Sequence, residues 1–157
     1  MSVEERLRAA GLELPMPYRS SGPNKPTLRL AQRSGNLVYL SGTGPFRDGE
    51  AVYRGKLGAD LSVEEGYQAA RLTGLNLLGA LREEIGDLEL VVRWVKVLGM
   101  VNSAPGFVQQ PAVINGFSDL IVELFGEERG LHARSAVGMA ELPSGIPVEI
   151  EAIVEVR

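Results

Sequence analysis

The order of patterns along the chain predicts an α+β fold, a mixed sheet with two long helices packed on one face and a short helix at the amino terminus. Three observations carry this. Two serines, in Ser2-x-x-Glu5 and Ser62-x-x-Glu65, stand as capping boxes before apolar residues at helical spacing. A valine-rich run over residues 90–101 has the composition of a central strand. An alternating segment over residues 148–156 closes the chain as a strand. With 157 residues and 45% apolar content, the chain can bury one core, so residues 1–157 are read as a single domain. Its first 26 residues form a helix and an irregular extension.

In the first helix, Val3, Leu7 and Ala10 share a face, and Gly11 ends it. Three prolines and several turn formers over residues 12–25 make that stretch irregular. Residues 27–40 read as strand, interrupted by a turn at Ser34-Gly35-Asn36, and Asp48-Gly49 offers a second tight turn. The first long helix follows Ser62, with Tyr67, Ala70, Leu77 or Leu78, Leu81 and Ile85 on its inner face and Gly86 as its stop. After the valine-rich strand, Gln110-Pro111 opens a second long helix, because proline is tolerated in the first turn. Val113, Ile114, Phe117, Ile121, Leu124 and Phe125 mark its buried face as far as Gly126. The last 26 residues, from His132, are expected to form a closing β-hairpin. Two helices cover only one face of a sheet, so an apolar residue on the other face, such as Ile153, favours self-association.

Composition removes several classes of function. A net charge of −4 and a pI near 5.1, with no basic stripe, argue against nucleic acid as a partner. There is no cysteine and one histidine, which excludes disulfides, thiolate catalysis and a histidine metal cluster. No window approaches a membrane span or a secretory signal, so the protein is expected to be soluble and cytoplasmic.

Arg134 is the strongest functional lead. Its charge cannot be removed by losing a proton, and its planar fork suits a carboxylate or phosphate wherever it is partly buried. The alternative, a strand-end arginine in water, is favoured somewhat by pattern alone. Ser41-Gly42-Thr43-Gly44 is not a dinucleotide loop, because Arg47 stands where a third glycine belongs and a hairpin follows instead of a helix. It is either a close backbone approach to a ligand or a bent strand end. Glu149 and Glu151 lie between apolar strand residues and read as solvated carboxylates unless the fold buries one. Asn115 either binds a ligand through its amide or steadies a loop. His132 reads as a turn or cap residue, with no role assigned. Ser135 has no partner for a hydrolase triad.

Taken together, Gly35-Asn36 through Ser41-Gly42, Asn76 through Leu81, Val-Ile-Asn115, Ala133-Arg134-Ser135 and Val148-Glu149-Ile-Glu-Ala-Ile153 resemble the Rid family. This is the reactive intermediate deaminase or YjgF-like family, also labelled endoribonuclease L-PSP. The likeness covers residues 27–157, and the Ala-Arg-Ser and Val-Glu-Ile-Glu-Ala-Ile pair is its specific part. It implies a chorismate-mutase-like fold assembled as a homotrimer with clefts between subunits. It also implies hydrolysis of 2-iminoacids and their enamine tautomers, such as 2-aminoacrylate, to 2-oxoacids and ammonia without a cofactor or metal. On this likeness Arg134 clamps the substrate carboxylate and the Gly42 backbone holds the substrate. Glu149 and the Ala136 carbonyl orient water, and Ser41 and Asn115 line the cleft. The alternative is a noncatalytic carboxylate-binding trimer that senses or buffers a metabolite.

A simple loop at residues 142–147 would pair Arg134 near Glu155 and leave Glu149 about six residues, roughly 20 Å, away. A shared site would then take Arg134 from one subunit and Glu149 from its neighbour. The chain departs from the family pattern at Leu28, where many active members carry tyrosine, at Thr43, where glutamine is usual, and at Ala136, where cysteine is usual. These changes, with the amino-terminal extension, imply a longer subgroup with a different or bulkier substrate.

Overall fold

The computed structural model describes residues 1–19, 23 and 25–157. The first helix, α1 (Val3–Ala9), begins at Ser2, and both arms of its capping box form. The irregular stretch expected over residues 12–25 has no regular element where described, and residues 20–22 and 24 lie outside the described residues. Strands β1 (Ala31–Ser34) and β2 (Leu37–Thr43) pair antiparallel around the Gly35-Asn36 turn, where a φ of +62° at Gly35 makes the reversal possible. The strand expected from Thr27 begins only at Ala31, which pairs opposite Leu40. Asp48-Gly49 turns β3 (Phe46–Arg47) into β4 (Glu50–Ala51), with positive φ at both turn residues.

Helix α2 (Val63–Ile85) opens on the complete Ser62 capping box and stops at Gly86. It is buried almost all round between Leu72 and Leu81, more than one amphipathic face explains. Its outer side is covered by the amino-terminal extension, whose Pro15 carbonyl lies where a Cβ on Gly79 would be 2.9 Å from it. Strand β5 (Val91–Asn102) is the long central strand. Helix α3 (Gln110–Gly130) breaks at Gly126, where φ is 76° and ψ 167°, and then adds one more turn beyond the stop expected from sequence. The two helices meet at Gly116, where a Cβ would fall 2.0 Å from the Tyr67 carbonyl oxygen.

The closing hairpin does not form. Strand β6 (Ala133–Met139) pairs parallel with β5 across the α3 crossover, and β7 (Val148–Val156) pairs antiparallel with β5 on its other edge. The sheet order is β1-β2-β7-β5-β6. The physical reason is that a β6–β7 hairpin would leave one edge of the buried, valine-rich β5 without hydrogen-bond partners. The connection between β6 and β7 instead crosses the end of β5. It is held there by Asn102, whose side chain donates to the Ile146 carbonyl at 3.2 Å and accepts from Lys56 Nζ at 2.8 Å. Lys56 also reaches the Ala140 carbonyl and pairs with Glu141.

Helices α2 and α3 lie on one face of the sheet, over Val97 and Val101 of β5 and Val148, Ile150, Ala152 and Val154 of β7. Ile114 of α3 sits so close to Gly99 that a Cβ there would be 2.6 Å away. The opposite face carries Tyr39, Ile153, Lys96 and Leu98 in adjoining strands. Ile153 is half-buried and Tyr39 is 45% exposed, so this face keeps the apolar patch anticipated from Ile153. None of the described helices is long and apolar enough to cross a membrane.

Candidate active site

Arg134 stands on the edge strand β6, opposite Val97, and so projects to the helix side of the sheet. It is half-buried at the flank of α3. Its Nη1 donates to Asn115 Oδ1 at 2.9 Å and to Ser118 Oγ at 3.0 Å, while Nη2 reaches the Pro111 carbonyl only at 3.5 Å. Burial lowers the Arg134 pKa from its ordinary value, and the nearby Asp119 carboxylate opposes the shift. No carboxylate among the described residues forms an ion pair with it, so the strand-end reading is incomplete: the guanidinium is oriented by two neutral acceptors and keeps its charge unmatched.

Glu149 of β7 pairs opposite Met100 of β5 and projects to the face away from the helices. Burial raises its pKa first, and the neighbouring Glu151 carboxylate adds to the rise. Among the described residues, none donates to its carboxylate. Gly42 packs against it: a Cβ on Gly42 would meet Glu149 Oε2 at 3.1 Å and its Cδ at 3.2 Å. Both line a cleft of about 560 Å³ together with Tyr18, Leu28, Thr43 and Phe46. Tyr18 stacks on Phe46, ring centroids 4.1 Å apart and nearly parallel, so the amino-terminal extension builds one wall.

Within one chain the structure brings Arg134 together with Asn115, and Glu149 together with Gly42, but it does not bring the two groups to each other. The β6–β7 hairpin register expected to separate them does not form. The separation arises because β5 lies between β6 and β7 and the two side chains leave the sheet on opposite faces. Ser41 has its hydroxyl engaged with the Arg29 carbonyl at 2.6 Å and its N–H with the Leu30 carbonyl at 2.9 Å. Ala136 pairs opposite Gly99 and is half-buried near Arg134 on β6. Glu151 is exposed, in line with a solvated carboxylate.

Ser118 and Tyr18 escaped the sequence reading. Ser118 lies one turn after Asn115 on α3, so the i, i+3 spacing was an available signal once Arg134 was taken as the centre. Tyr18 carried no such signal, because it lies in an irregular segment. His132 fulfils the cap expectation: its Nδ1 lies 2.7 Å from the Gly130 carbonyl at the end of α3. Among the described residues no three His, Asp or Glu side chains converge as a metal ion requires.

A mixed sheet with a parallel β5-α3-β6 crossover, two helices on one face and an oriented arginine at the sheet edge define an α+β protein of the chorismate-mutase-like class. The sequence profile described as YjgF/chorismate mutase-like, putative endoribonuclease, matches residues 4–146. A Trypanosoma cruzi protein called TCP17 is 47% identical over 124 residues, 79% of this chain and 78% of its own. A protein of unknown function from Agrobacterium tumefaciens is 41% identical with a TM-score of 0.89, over 99% of this chain and 92% of its own. A putative endoribonuclease from Shewanella oneidensis is 31% identical with a TM-score of 0.91, over 99% of this chain and all of its own. The chain belongs to the YjgF-like Rid family.

Proposed function

We propose that the protein hydrolyses reactive 2-iminoacids and their enamine tautomers to 2-oxoacids and ammonia, in clefts shared between subunits of a homotrimer. The observation that carries this reading is Glu149, a half-buried carboxylate with a raised pKa and no donor among the described residues, lining a cleft with Gly42. A base that takes a proton from water works best when its pKa is drawn toward the working pH. Arg134 of an adjoining subunit supplies the complement, a fork for the substrate carboxylate. The uncovered sheet face with Tyr39, Leu98 and Ile153 is the surface on which that subunit would dock.

In this mechanism an enamine first gains a proton from water at its terminal carbon and becomes the protonated imine. Water then adds to the imine carbon while Glu149 takes one of its protons, forming a carbinolamine. Glu149 returns that proton to nitrogen, the C–N bond breaks, and the hydroxyl proton is lost as the new carbonyl forms. Arg134 stays paired with the carboxylate throughout, fixing the reacting carbon against the water. The cleft volume, with Leu28 and the Tyr18 and Phe46 rings in a lining that also carries Arg19 and Arg29, suits a side chain larger than that of 2-aminoacrylate.

A second reading, binding without turnover, is favoured by one observation: Ala136 places no polar side-chain atom beside Arg134. Cleavage of RNA, which the name of a relative suggests, is disfavoured by the net charge of −4. Coupling the protein to a serine or threonine dehydratase tests the first reading. Release of 2-oxoacid is expected to accelerate with the wild type and not with Arg134→Ala. Equal rates with and without protein, while pyruvate still raises its melting temperature, would leave only the binding function.

A further inference from the structure

We propose that Ser118 and His132 are positioning residues, which hold the Nη1 group of Arg134 so that its Nε and Nη2 edge is the one offered to a carboxylate. This rests on the reading of Arg134 as the clamp and adds which residues aim it. Hydrogen-bond bookkeeping fixes the direction of the whole chain. The Gly130 carbonyl can only accept, so His132 Nδ1, 2.7 Å away, carries the ring hydrogen. In the neutral ring Nε2 is then an acceptor, and Ser118 Oγ, 2.9 Å from it, donates. With its hydrogen committed to His132, Ser118 Oγ presents lone pairs to Arg134 Nη1 at 3.0 Å.

The second Nη1 hydrogen goes to Asn115 Oδ1 at 2.9 Å, so Nη1 is fully used. Nη2 has only the long Pro111 contact, and none of the described residues accepts from Nε. The Nε and Nη2 hydrogens point along one edge of the guanidinium, and that edge matches the two oxygens of a carboxylate. The imidazole is itself held from two sides, by the Gly130 carbonyl and by the Phe117 ring packed edge-on at 5.9 Å. Phe117 is fully buried in the α3 core. The aim of the clamp is thus referred back to the Gly130 carbonyl and the buried Phe117, whereas Asn115 is exposed. The groups facing His132 are the Arg134 cation from β6 and Ser118 and Phe117 from α3. Burial lowers the pKa of the ring, the Gly130 contact opposes the shift and the Arg134 cation adds to it.

Two substitutions at position 132 separate aiming from simple helix capping. Asparagine places its amide nitrogen near Nδ1 and keeps the Gly130 contact, while glutamine reaches the Nε2 position and keeps an acceptor for Ser118. Titration calorimetry with pyruvate reads the result. Ser118→Ala and His132→Asn are expected to bind about ten-fold more weakly, and Ser118→Thr and His132→Gln to stay close to the wild type. Unchanged affinity in Ser118→Ala, or equal effects of Asn and Gln, overturns the proposal. Should wild type and Arg134→Ala bind pyruvate alike, the clamp reading itself fails, and nitrogen-15 NMR of the Arg134 guanidinium then decides the aiming. Separately resolved Nη1 and Nη2 signals that merge in Ser118→Ala retain it; signals already merged in the wild type overturn it.

Discussion

Arg134 and Glu149 flank the same strand, β5, and leave the sheet on opposite faces. Arg134 is opposite Val97 and Glu149 opposite Met100, so their backbones are two strand spacings and three residues apart, about 10 Å in each direction. With the sheet between them, the two side chains of one chain have no common space. A small ligand that touches both must therefore lie between two subunits, with one contributing the helix-side edge of β6 and the other its open face.

Subunit mixing tests this directly. Arg134→Ala and Glu149→Gln are each expected to be inactive, but in the proposed trimer co-expression would give mixed assemblies in which one subunit's intact Arg134 meets another's intact Glu149. Random assembly of equal amounts gives such a pair at roughly a quarter of the sites. Dehydratase-coupled assay of the mixture should recover activity on that scale, and recovery of none overturns a site that joins Arg134 of one subunit to Glu149 of another.

Gly42→Ala keeps the fold and damages the site. The added Cβ meets the far end of a flexible side chain, Glu149 Oε2 at 3.1 Å, so the carboxylate yields and the backbone stays. A shift of a few tenths of an ångström in a water-orienting group is expected to lower kcat/KM about ten-fold, with a melting temperature within a few degrees of the wild type.

Glu149→Gln should be more stable than the wild type at neutral pH. Burial and Glu151 raise the folded-state pKa of Glu149 above 4.5. As pH rises past that value the unfolded chain ionises first, so folding stability is lost until the folded pKa is passed, and the deficit remains at pH 7. Glutamine removes it. Thermal melts of the two proteins should diverge above pH 5 and converge below pH 4.

His132 contributes pH dependence of the opposite sign. Burial, with Arg134 adding to it, lowers its folded pKa below 6.5. When pH falls below 6.5 the unfolded chain takes up the proton first, and stability declines until the folded pKa is reached. Melts between pH 7.5 and 5.5 should show a decline in the wild type that is absent in His132→Gln.

Gly116→Ala is expected to be among the most damaging small substitutions in the chain. A methyl 2.0 Å from the Tyr67 carbonyl oxygen forces α2 and α3 apart, at a cost of about 3 kcal/mol or more. Urea unfolding measures it. A loss under about 1 kcal/mol would show that the helix pair adjusts freely.

The helix starts at Ser2 and Ser62, the turns at Gly35 and Asp48-Gly49 and the stop at Gly86 were legible in the sequence because each depends on hydrogen bonds or dihedral angles within four residues. The break in α3 was legible at Gly126, although the extra turn to Gly130 was not. Of the site, Arg134, Glu149, Gly42 and Asn115 came from residue type together with motif context. Ser118 did not, since a serine on an amphipathic helix is ordinary until an arginine from another element lies against it.

The sequence by itself determined most of the elements and the α+β class, since caps, turn glycines and alternation are written in neighbouring residues, and the family through its resemblance at the Ala-Arg-Ser and Val-Glu-Ile-Glu-Ala-Ile motifs. Tertiary structure alone decided that β6 runs parallel to β5 and that β7 lies on its other side. That choice depends on which strand edges find partners and on the Lys56–Asn102 latch across residues 46 apart. It also decided the consequence for the site, because the face on which Arg134 or Glu149 emerges is set by strand register, a property of paired strands and not of either strand alone.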